Sequence, residues 1–241
     1  MRKLLITLSL LMANNAYADT CIPKPDCADM GYTKTSCSGA YLKCPFDTSK
    51  MACLADENAG RLCLVGYIYY SDGTCDSVVY STKTPIGVVV KTNELVMSLT
   101  TKSMTWASSY VDVSGVTNYT SDTDAKTDYN GKANTLAIVS TYTSDTTSNN
   151  AAKYCNSYST AGTSAGQWYL PAAGEIYGYI YASYQTLEAT FSSLGLSFPR
   201  AYLWSSSEYG NYYAWTVYSY DGNVDWYGKN NAYSVSCLLA L

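Results

Sequence analysis

Between Glu208 and Ser234 the chain carries seven tyrosines, Tyr209, Tyr212, Tyr213, Tyr218, Tyr220, Tyr227 and Tyr233, set among Asn, Asp, Ser and Gly. Tyrosine offers wide amphipathic contact area with few rotatable bonds, and small polar residues supply adaptable hydrogen bonds. This is the vocabulary of antibody paratopes. The chemistry it suits is recognition, with rings stacking on sugar rings or apolar side chains and amide or carboxylate groups bonding hydroxyls. The candidate ligand-binding set is therefore Tyr209, Asn211, Tyr212, Tyr213, Tyr218, Tyr220, Asn223, Asp225, Tyr227, Asn230 and Asn231. Strand alternation is expected to place this set on a common face, with Ala214, Trp215, Val224, Lys229 and Val235 as its frame.

Covalent catalysis finds little support. The 241 residues include no His, which excludes a Ser-His-Asp triad, a His-based zinc site and a His general base. No phosphate loop or nucleophile motif occurs. Glu175 and Glu208 are the only candidates for a glycosidase pair, which needs two carboxyls about 5 to 9.5 Å apart, and nothing in the sequence brings them together. Glu208, after a Ser run, suits a buried staple accepting hydroxyl or backbone donors. Trp168, Trp204 and Trp215 suit the core, and Pro171 suits the first position of a helix with Glu175 near its N-terminus. No cofactor or metal is expected, since no C-x-x-C pair accompanies the missing His.

Composition narrows the partners. The formal charge of −4 argues against nucleic acid, which selects basic faces. Arg2 and Lys3, the apolar run Leu4 to Met12 and the small-x-small triplet Ala16-Tyr17-Ala18 predict a secretory signal peptide over residues 1–18. About nine apolar residues are too few to cross a bilayer, which needs roughly twenty, so no membrane span is expected. Nine cysteines point to an oxidising compartment: periplasm, cell surface or medium. Six of them, Cys21, Cys27, Cys37, Cys44, Cys53 and Cys63, predict a disulfide-stapled loop module over 19–63, with connectivity open. Cys155 is expected to pair with Cys237. One cysteine is then left over: Cys75 if the cluster pairs within itself, or an earlier one if Cys63 pairs with Cys75.

Residues 64–241 are predicted to form one α+β domain. Tyr67–Tyr70 suits a strand, and Ile86–Lys91 suits a buried strand with Glu94–Leu99 as its hairpin partner. Helices are expected from Asn130-Gly131 through Ile138, over Ala151–Tyr158 behind an Asn cap, and over Ala172–Tyr184, with Thr120–Asp128 as a surface loop. Asp221-Gly222 predicts a hairpin between Tyr213–Tyr220 and Asn223–Tyr227, and Tyr233–Leu239 a closing strand.

Gly166-Gln167-Trp168-Tyr169-Leu170-Pro171, Leu203-Trp204-Ser205-Ser206-Ser207-Glu208, Ala214-Trp215, Gly222, Lys229 and Val235-Ser236-Cys237 follow in order. This pattern resembles the C-terminal domain family of bacterial collagen-like adhesins, the Lcl C-terminal domain, over about residues 64–241. Tyr169 and Ser236 stand where that family usually has Arg, which removes positive charge, so the family's sulfated-polysaccharide ligands are not carried over. The resemblance implies a C-type-lectin-like mixed fold with two to three helices and a small antiparallel sheet. The calcium triplet of true C-type lectins is absent.

Together these readings predict a secreted bacterial adhesion or binding protein, not an enzyme. Its partner would be an extracellular glycan or protein, with a homo-oligomer open. Asn, Tyr, Ser, Asp and Gly are also the residues reached by mutating adenines in AAY codons, so the tail resembles a variable region diversified by a retroelement. A self-assembling surface protein and a periplasmic hydrolase or modifying enzyme are the alternatives.

Overall fold

The computed structural model describes residues 63–241 and, upstream, the backbone of two short strands, β1 (Leu42–Lys43) and β2 (Met51–Ala52), which pair antiparallel. The chain divides into two units, Met1–Cys63 and Leu64–Leu241. The predicted signal peptide and the pairing inside the cysteine cluster lie outside the described residues.

The second unit is α+β and is built on two sheets. A six-stranded antiparallel sheet has the order β4-β3-β5-β6-β13-β8, from β3 (Ile68–Tyr70), β4 (Cys75–Asp76), β5 (Pro85–Lys91), β6 (Leu95–Ser98), β8 (Trp168–Tyr169) and β13 (Leu238–Ala240). A five-stranded sheet has the order β11-β10-β9-β12-β7, from β7 (Lys102–Thr105), β9 (Tyr202–Glu208), β10 (Tyr213–Tyr218), β11 (Val224–Gly228) and β12 (Ala232–Val235). Its pairs are antiparallel except β12 with β9, which meet in parallel at Ser234 and Leu203. Five α-helical segments complete the described part of the unit: α1 (Asp122–Ala125), α2 (Gly131–Thr141), α3 (Ala151–Ser157), α4 (Ala173–Glu175) and α5 (Tyr184–Ser193).

The β-branched run Ile86–Lys91 behaves as its composition demands. Strand β5 buries five consecutive residues and turns at Thr92-Asn93 into β6, with Asn93 at φ 57. Asn is one of the few residues besides Gly that adopts this region routinely. The second hairpin turns at Asp221-Gly222. Gly222 has φ +75, and a Cβ there would lie 2.4 Å from Tyr181 Cε1, so both conformation and space select Gly.

Three expectations differ from what is seen. The single closing strand is two: β12 joins one sheet and β13 the other, switching at Ser236-Cys237. At the switch Ser98 N–H donates to Cys237 O at 2.9 Å, and Cys237 N–H donates to Ser98 Oγ at 3.0 Å. The helix expected over Ala172–Tyr184 breaks into α4, a π turn (Ile176–Ile180) and a 3-10 turn (Tyr181–Ser183). Gly178 in its middle is a weak helix former, and a Cβ there would lie 2.9 Å from Tyr129 Oη. The regular helix comes later, as α5, which buries Leu187 and Phe191 one turn apart. The Thr120–Asp128 segment is not only a surface loop. Ser121 caps α1 by accepting Asp124 N–H at 3.1 Å, and Asp128 is buried.

Cys155 on α3 is joined to Cys237 at the strand switch, across a sequence separation of 82. Cys63 and Cys75 are both buried and both disulfide-bonded, which corrects the reading of Cys75 as the leftover thiol. Among the described residues, no helix is long and apolar enough to cross a membrane. Replacing Cys155 and Cys237 by Ser is predicted to lower unfolding free energy by about 4 kcal/mol, the chain-entropy value for a loop of this length. Guanidinium titration of the oxidised protein checks this, and a loss below about 1 kcal/mol would show that the link is not what holds the sheets together.

Candidate functional site

The tail is positioned by residues that bear charge where none is expected. Glu208 ends β9 and Lys229 follows β11, and both side chains are 0% exposed and in direct contact. Glu208 Oε2 accepts Val113 N–H at 3.1 Å, and Lys229 Nζ donates to Val111 O at 2.7 Å. The ammonium also lies 4.5 Å from the centre of the Trp106 ring. Burial pushes the Glu208 carboxyl up and the Lys229 amine down, and each charge pulls the other back. The Lys229 backbone is equally engaged: its N–H donates to Tyr212 O at 3.0 Å, and its carbonyl accepts Trp106 N–H at 2.9 Å. One lysine therefore ties the segment around Val111 to the turn at Tyr212.

Those two segments carry an exposed aromatic ridge. Tyr110 (44% exposed) meets Tyr212 (53%) at 5.2 Å between ring centres, and Tyr212 meets Tyr213 (38%) at 6.3 Å. Tyr213 packs on Trp226 (40%) at 4.6 Å, and Trp226 stacks on Tyr209 at 5.0 Å. The register explains the meeting. Trp226 pairs opposite Trp215, so Tyr213, Trp215 and Trp226 share one face of the β10–β11 hairpin. Further in, that face becomes core at Val217 and Val224.

The other expected ligand-binding residues are not on this face. Tyr218 and Tyr227 lie on the opposite side of the five-stranded sheet, where Tyr202 packs on Tyr218, Tyr227 and Tyr233. Asp225 alternates onto that side too, and Asn223 donates to Tyr202 Oη at 2.8 Å. Burial, reinforced by the Asp225 charge, pushes the Tyr227 hydroxyl up. Tyr220 goes elsewhere, beside Tyr184 and under the Arg200 guanidinium at 4.2 Å. Asn211, Asn230 and Asn231 are exposed in the turns that precede β10 and follow β11. The tail thus splits into three surfaces rather than one common face. Trp226 was missed although its alternation with Tyr227 was readable. Tyr110 had no signal, because it arrives from about one hundred residues upstream.

The motif residues form the frame. Trp168, Trp204 and Trp215 are buried, and their indole N–H groups donate to Thr163 Oγ1, Met104 O and Tyr119 O. The Ser run in β9 forms a bulge opposite β10, and Ser205 Oγ donates to Trp215 O at 2.7 Å. Ser207 Oγ bridges the buried Asp128, to which it donates at 2.6 Å, and Ala173 N–H, which it accepts.

Glu175 belongs to a separate network from Glu208. It accepts Ala172 N–H at 2.8 Å and Tyr169 O–H at 2.9 Å. Burial, with the Asp128 charge adding to it, raises its pKa to about 7. The Tyr169 hydroxyl is thus the side-chain partner of this carboxyl. A surface concavity of about 560 Å³ is lined by residues such as Val65, Gly66, Thr186 and Thr190, none of them charged and none from the tail. Among the described residues, no group of His, Cys, Asp and Glu is arranged to hold a metal ion.

The fold is similar to that of a fimbrial protein from Bacteroides ovatus ATCC 8483, known from its crystal structure. The TM-score is 0.59 at 16% identity, over 74% of this chain and 49% of that one. The likeness spans about half the length of that protein and, at this identity, is one of fold. No family model and no curated protein matches the chain.

Because the folded pKa of Glu175 lies above the 4.5 of an ordinary Glu, the protonated carboxyl is favoured by folding. Its contribution to stability is complete below pH 4.5 and is lost as pH rises through about 7. Glu175→Gln is predicted to flatten the fall in stability across that window. Urea midpoints at both ends check this, and parallel wild-type and variant profiles would contradict it.

Proposed function

We propose that this chain is an exported bacterial surface protein, a binding module and not an enzyme, that holds a glycan or protein ligand on the ridge Tyr110, Tyr209, Tyr212, Tyr213 and Trp226. The observation that carries the reading is the ridge itself. Five aromatic side chains meet in a continuous row of ring contacts, four of them between 38% and 53% exposed, on segments whose fold is secured by other residues. Folding gains nothing from leaving such area in water, whereas contiguous exposed apolar surface marks binding sites. Tyr and Trp also dominate binding hot spots. The acidic chain suits a neutral or basic ligand.

The fold shared with a fimbrial protein, the oxidised cysteines and the predicted signal peptide support export and a surface location. The ordered tail motifs support kinship with the collagen-like adhesin C-terminal domain. The separation of frame from face also suits a diversified tail: Tyr209, Asn211, Tyr212 and Tyr213 can vary while Glu208, Trp215 and Lys229 stay. Strand β11 is an edge strand beside the ridge, so a second copy of the chain is the competing occupant.

The test screens the full oxidised chain against arrays of neutral glycans and extracellular proteins, then repeats every hit with Tyr212→Ala/Trp226→Ala. Affinity is expected to fall at least about tenfold, or about 1.4 kcal/mol, while Tyr218→Ala/Tyr227→Ala on the opposite face leaves it intact. The reverse ranking would move the site to the other face. Self-association abolished by the ridge substitutions, with no hits, would replace the ligand by a second copy. Codons of residues 209–233 test diversification: it requires variants among sibling strains confined to template adenines.

A further inference from the structure

We propose that Lys229 and Glu208 condense into an intramolecular amide, a covalent cross-link that locks the turn after β11 to the end of β9. The two side chains are in contact and 0% exposed, so the reactants are held together without water between them. Such positioning replaces a bimolecular encounter and is worth several orders of magnitude in effective concentration. In water an ammonium and a carboxylate are strongly favoured over their amide by hydration. A buried ion pair has lost that hydration, and its charges are costly to keep.

The surrounding groups suit the reaction. Proton transfer along the Nζ–Oε1 contact converts ammonium and carboxylate into amine and carboxylic acid without an outside base. Lys229 Nζ then attacks Glu208 Cδ. Val111 O, 2.7 Å from Nζ, orients the amine, and Val113 N–H, 3.1 Å from Oε2, stabilises the oxygen on which negative charge develops. The Nζ–Cδ bond forms and the Cδ–Oε1 bond breaks. Oε1 leaves as water with two of the three ammonium protons, and the third stays on the amide nitrogen. Oε2 becomes the amide carbonyl and keeps its bond from Val113. Asp112 is a further carboxyl whose charge both partners feel. The step consumes no oxidant, cofactor or co-substrate.

Mass spectrometry of the full, folded, oxidised chain, reduced and denatured only after purification, decides the matter. Trypsin cuts after Arg200 and after Lys229 and nowhere between or beyond. The cross-linked chain is expected to resist cleavage at Lys229 and to yield Ala201–Leu241 as one peptide, lighter than its sequence by one water. Lys229→Arg restores the full mass. Glu208→Gln loses ammonia instead of water and arrives at the wild-type mass, a signature that an ion pair cannot imitate. Chain kept unfolded in guanidinium from synthesis onward has the full mass, because only the fold assembles the site. Wild-type protein of full mass that trypsin cleaves after Lys229 would overturn the proposal, whether or not the variants fold.

Discussion

The buried contact between Glu208 and Lys229 is the constraint on which the rest of the tail depends. Taking two opposite charges out of water is expensive, and their mutual attraction recovers that cost only with good geometry and further hydrogen bonds. Here those bonds go to Val111 O and Val113 N–H, so the segment between β7 and α1 is pulled against the end of β9. The same lysine uses its backbone N–H to hold Tyr212 O. A pair that costs solvation thereby sets the places of Tyr110 and Tyr212, which are far apart in sequence and 5.2 Å apart as rings.

A division of labour follows. Indole donors, Ser205 and Ser207 of the β9 bulge, Asp128 and Glu175 all find hydrogen-bond partners inside, where unpaired polar groups are costly. Ser206 Oγ is the one buried side-chain polar atom among the described residues without a hydrogen-bond partner. The tyrosines outside are bound to one another by ring contacts of modest energy, on the order of 1 kcal/mol each. Changing Tyr212 or Tyr213 disturbs the interior little, which is what a face that must fit a ligand requires, whereas Tyr209 also packs on the buried Trp215.

Much of the architecture was legible. The β5–β6 hairpin, the Asn-capped helix α3, the Asp221-Gly222 turn and the Cys155–Cys237 link all follow from local signals: β-branched runs, capping residues, turn glycines and cysteine arithmetic. What could not be read was long-range. Nothing near Val235 says that the last strand changes sheets. Nothing near Tyr110 says that a lysine over one hundred residues away will anchor its loop. The candidate face was legible in composition but not in geometry: alternation sends Tyr213 and Trp226 to one side of the sheet and Tyr218 and Tyr227 to the other, and the turn takes Tyr220 to the helices.

The central claim is that Lys229 holds both sides of the ridge in place, and amide hydrogen exchange of Lys229→Met tests it most directly. With the buried anchor removed, residues 107–118 and 209–213 should exchange much faster, while the six-stranded sheet from β4 to β8 keeps its protection. Unchanged exchange in those two segments would contradict the account, because the ridge would then be positioned by something other than the buried pair.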